Sequence, residues 1–66
     1  MTEVEIRSVA DRSSFIKLNG IMYRIDAVVE EGIQCHDEDD GNEYFINWGE
    51  VDNSTEFWAM KLERVS

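Results

Sequence analysis

A chain of 66 residues that is 42% apolar, carries seven aromatics and has a formal charge of −9 is one small domain with enough apolar content to fold. Its single cysteine, Cys35, excludes an intrachain disulfide, and no apolar run approaches the roughly 18 residues of a membrane span. The acid excess repels nucleic acid and anionic membranes and attracts a basic surface, and the first residues lack the basic and apolar regions of a signal peptide. We read a soluble cytoplasmic domain over 1–66.

At the N-terminus Val4 and Ile6 alternate as an edge strand would. Thr2 with Glu5 would instead form a capping box, and Ile6, Val9 and Ala10 have helical spacing. The reading favours the strand. Asn19-Gly20 then separates 14–18 from 21–29 and signals a two-residue hairpin turn, because both central residues need positive φ. Such a turn pairs Leu18 with Ile21 and Ile16 with Tyr23. It places Ile21, Tyr23, Ile25, Ala27 and Val29 on one face. Gly32 marks a bend or bulge that lets this strand run into the next.

Asp40-Gly41 is the second turn signal. As a two-residue turn it sets Cys35 against Ile46, Ile33 against Trp48 and His36 against Phe45, but also Glu38 against Glu43. That like-charge pair predicts a longer, frayed loop over 37–43. Residues 49–54 read as a connection with one helical turn. Beyond it Trp58, Met60 and Leu62 alternate as a strand, the competing reading being a helix capped by Asn53 with Glu56. Together these elements predict an all-β fold with at most a short helical turn: a strongly bent antiparallel sheet or a five-stranded, SH3-like barrel.

Little here carries catalytic or metal chemistry. Residues 36–43 superficially resemble a calcium loop. With Gly41 at the sixth position, however, His36 and Asn47 stand where Asp and Glu are needed. Cys35 and His36 are adjacent, so on a strand they face opposite ways and do not chelate one metal. Nearby carboxylates disfavour a thiolate, and Cys35 reads as a small core residue. We expect no enzyme activity, no metal and no cofactor.

The surviving signal is the charge distribution. Eleven acids lie between Asp26 and Met60 without one Lys or Arg among them, while all six basic residues flank that stretch. Glu30 and Glu31, then Asp37, Glu38, Asp39, Asp40 and Glu43, then Glu50, Asp52 and Glu56 form the candidate partner-binding set. With Cys35 and Ile46 inward, Gln34, His36, Glu43, Phe45 and Asn47 face outward, and Phe45 becomes an aromatic anchor among acids. Trp48 and Trp58 read first as core residues. A compact chain of this length is about 28 Å across. B-DNA presents about 16 phosphates over that distance, so the acids match one face of a duplex.

The expected function is that of an acidic module binding a basic site on a larger protein. In its sharpest form it is a phage-type inhibitor that mimics nucleic acid and blocks a nucleic-acid-binding enzyme in the host cytoplasm. Direct binding of nucleic acid or membrane is not expected. The alternative is a homodimer or accessory structural module whose acids only aid solubility.

Overall fold

In the computed structural model, which describes residues 2–60 and 63–65, Asn19 and Gly20 have φ of 52° and 79°. They join β1 (Phe15–Leu18) to β2 (Ile21–Val28), with Leu18 opposite Ile21 and Ile16 opposite Tyr23. This is the register the turn chemistry predicts. Beyond Ile25 the alternation breaks: Ile25 pairs with Cys35 but Ala27 pairs with Gln34, so Asp26 is an extra, bulged residue. The inward phase therefore switches, and Val28, rather than Ala27 or Val29, packs against the core. The predicted five-residue apolar face is correct only as far as Ile25.

The chain does not bend through Gly32; it reverses before it. Val29 and Gly32 exchange backbone hydrogen bonds of 2.9 and 3.3 Å across Glu30 and Glu31. β3 (Gly32–Asp37) then runs back along β2 and is followed by β4 (Glu43–Asn47). Gly32 is required for close approach, because a Cβ there would overlap the carbonyl oxygen of Ile46. The β3–β4 register differs from the Asp40-Gly41 expectation by two residues: Ile33 faces Ile46, Cys35 faces Tyr44, Gln34 faces Phe45 and His36 faces Glu43. A slip of two leaves every side chain on its expected side. It also replaces the Glu38–Glu43 clash by a His36–Glu43 pair.

The predicted N-terminal strand is overturned. Residues Glu3–Asp11 form α1, with Thr2 and Glu5 in a reciprocal capping box. Val9 and Ala10 are buried on its inner side, with Ile6 packed beside them, whereas Val4 is 78% exposed. Helical spacing wins because the sheet needs a cover for one face. At the other end β5 (Glu56–Met60) and a two-residue β6 (Glu63–Arg64) are strands; Leu62 lies outside the described residues. Trp48–Glu50 is a 3-10 turn, so the connection does contain a helical turn, starting one residue earlier than expected.

The six described strands form one antiparallel sheet in the order β4-β3-β2-β1-β5-β6. The sheet is not closed, so the barrel alternative fails: α1 and the 48–55 connection cover the inner face instead. Ile16, Ile33, Cys35 and Phe57 are its fully buried side chains, joined by Val9, Ala10, Ile46 and Trp48. No described helix is long and apolar enough to cross a membrane.

Candidate interaction surface

The acids divide by position along β3, whose six residues span about 20 Å. Glu30 and Glu31 occupy the turn at its start, tied down by Trp48, whose Nε1 donates to the carbonyl of Glu30 at 2.8 Å. Glu50 lies at the same end, where its carboxylate accepts the N–H of Asn47 at 2.8 Å. Asp37, Glu38, Asp39, Asp40 and Glu43 gather at the opposite end. Asp52 is in the connection to β5, and the Ser54 hydroxyl and amide hold its carboxyl below the usual range. Glu56 is set apart on β5, opposite Lys17 and 3.8 Å from the guanidinium of Arg64.

The 37–43 loop is longer than two residues, as the like-charge argument predicts, but it is not frayed. The Asp37 carboxylate accepts the amides of Asp39 and Asp40 at 2.7 and 3.4 Å, and Asp40 accepts that of Asn42 at 2.8 Å. The Gly41 amide donates to the Asp37 carbonyl, and the Asp37 amide to the Asn42 carbonyl. Two of the acids thus build the loop with their own side chains. The carboxylates of Glu30, Glu31, Asp39 and Glu43 have no hydrogen bond or ion pair among the described residues.

Phe45 is 44% exposed on the outer face, next to Gln34 and two residues from Glu43. These side chains and Asp26 border an open groove of about 440 Å³. On its far side His36 and Asp26 are linked, the ring Nδ1 lying 2.9 Å from both carboxylate oxygens. Asp26 was absent from the sequence-derived set because its neighbourhood depends on two non-local features, the β2 bulge and the reversal at Glu30-Glu31. The reversal places Asp26 and His36 on adjacent strands. Tyr44, 46% exposed, points to the opposite face and meets Tyr23 edge-on at 5.4 Å.

Cys35 is buried, and desolvation, aided by the charge of Asp26, pushes its thiol up to about 11. It sits as a neutral donor 3.7 Å from the Tyr44 carbonyl, in keeping with the core reading. Of the two tryptophans, Trp48 is core and Trp58 half-buried. The groups offered to solvent around β4 are therefore carboxylates, two aromatic rings and strand-edge amides, which suit recognition. No family model matches this chain, and neither a curated protein nor a solved structure matches it.

Proposed function

We propose that the protein is a small acidic interaction module that binds a basic site on a larger protein and performs no catalysis of its own. The observation that carries this reading is Phe45, half-exposed at the rim of the groove beside Glu43, whose carboxylate has no partner among the described residues. Arg and Lys of the partner meet the carboxylates and speed encounter, while the ring is buried on docking and slows release. The sharper form is a phage-type inhibitor acting in the host cytoplasm by occupying the groove of a nucleic-acid enzyme. Supporting it, acids stand at both ends of β3, about 20 Å apart, a length over which a duplex presents about 12 phosphates.

The test is capture of a partner from lysate at low and high salt, followed by affinity measurement with purified components. Changing Asp37, Glu38, Asp39 and Asp40 to amides should weaken binding and flatten its salt dependence. Phe45→Ala should raise the dissociation rate and keep the salt slope. Equal binding by wild-type and neutralised proteins at low salt would refute the electrostatic mechanism. The exposed aromatics Tyr44 and Phe45 on an edge strand also favour a second reading, a homodimer whose acids serve solubility. Sedimentation of the protein alone decides it.

A further inference from the structure

The two edges of the sheet are unlike. β6 is two residues long and follows a register shift between Trp58 and Met60, a device that blunts an edge. β4 has five residues in unbroken register with β3 and contains no Pro, no Lys and no bulge. Antiparallel pairing alternates the direction of backbone groups along a strand. The Asp37 amide bonds the Asn42 carbonyl. The register then turns the N–H and C=O of Tyr44 and Ile46 toward β3, and those of Glu43, Phe45 and Asn47 outward. Asn47 agrees with this phase, since Glu50 takes its outward N–H. Among the described residues nothing takes the outward groups of Glu43 and Phe45, which form an open pairing template with the Phe45 ring on one face of it and Tyr44 on the other.

We propose that β4 receives an extended basic-apolar segment of the partner as a further antiparallel strand. This rests on the acidic-module reading and specifies how that module is engaged. Backbone pairing occurs at Glu43 and Phe45. An apolar side chain opposite Phe45 shares the outer face with it, and a Lys or Arg two residues later lies against Glu43 and faces the 37–41 loop. Charge selects this occupant over a second copy. Self-pairing would bring two chains of −9 together, and pairing centred on Phe45 would set Glu43 against an Asn47 amide already taken by Glu50.

The probe is a capped synthetic peptide, threonine-isoleucine-arginine-lysine-valine-arginine, titrated into isotope-labelled protein. Binding should slow amide exchange at Glu43 and Phe45, and N-methylation of the peptide's isoleucine and lysine should weaken it about tenfold through lost backbone bonds. Glu43→Gln should weaken the parent peptide at low salt, and a version with glutamates for its basic residues should not bind. The proposal is overturned if the N-methylated peptide binds like the parent, or if the peptide does not bind. It is equally overturned if Glu43 and Phe45 are protected instead by a concentration-dependent dimer. A captured partner that binds with salt dependence but leaves these two amides unprotected overturns edge addition alone. Loss of the salt dependence itself would remove the underlying reading as well.

Discussion

At Gly32 a methyl group has nowhere to go, since it would meet the backbone of β4 rather than a side chain that could swing away. Gly32→Ala should therefore destabilise the protein by about 1–3 kcal/mol or more, measured by urea unfolding. At Gly20 the obstacle is conformational: with φ of 79° and open space around it, Gly20→Val should cost about 1–2 kcal/mol. An unchanged melting temperature would contradict the turn assignment. Cys35 gives a pH dependence whose sign follows from its environment. Burial raises the thiol from an ordinary 9.0 to about 11, so its contribution to stability is constant below 9 and falls as pH rises between the two values. Tyr23, raised mainly by burial, acts in the same direction at higher pH. Denaturant midpoints at pH 8 and 10.5 should show the loss, and Cys35→Ala should reduce it. A midpoint that does not change with pH would mean the thiol is accessible to water.

Among the elements, those set by adjacent residues were legible in the sequence and those set by distant contacts were not. Asn19-Gly20 determines its own hairpin, because the φ requirement is local. Glu30-Glu31 contains no such signal: among the described residues Asn19 is the only non-glycine at positive φ, so this reversal uses conformations open to any residue. The Asp26 bulge depends on how β3 aligns, which the sequence of β2 does not specify. In the second hairpin the like charges of Glu38 and Glu43 disfavour the tight turn, yet the two-residue slip that separates them comes from the neighbouring strands and from the Asp37 and Asp40 turns. The loop provides a direct check. Asn retains a side-chain oxygen that accepts the same amides, so Asp37→Asn with Asp40→Asn should fold like the parent. Asp37→Ala with Asp40→Ala should lose about 1–2 kcal/mol. Equal stability of the two variants would show that these carboxylates do not order the loop. At α1 the capping box was visible from Thr2 and Glu5, but choosing helix over strand required knowing that the inner face lacked a cover. Thr2→Ala should cost about 1 kcal/mol.

For the molecule as a whole, a charge of −9 on a body 31 × 24 × 19 Å stores self-repulsion that salt relieves. The melting temperature should rise with sodium chloride between low and physiological ionic strength. Neutralising Asp37, Glu38, Asp39 and Asp40 should reproduce part of that gain without salt. A melting temperature that falls with salt would mean attractive pairs outweigh the repulsion, a result that the few ion pairs among the described residues argue against. Partner affinity should move the opposite way, falling as salt rises. Stability and binding thus respond to the same charges with opposite signs, and one salt series measured both ways separates solubility from recognition.

Strands β1, β2 and β3 each pair with the next in sequence, but β5 reaches back past β2, β3 and β4 to β1, so Phe15 and Trp58, about forty residues apart, become partners. The meander can zip locally, whereas this closure must wait for a long loop to find its end. Until it does, β1 has an open edge beside Ile16, and the β5 of another molecule fits that edge as well as its own. The connection through residues 51–55 therefore acts as a hinge whose length keeps the closure intramolecular. Removing Asn53 and Ser54 should strain it and produce a domain-swapped dimer that exchanges β5 and β6, detectable by light scattering.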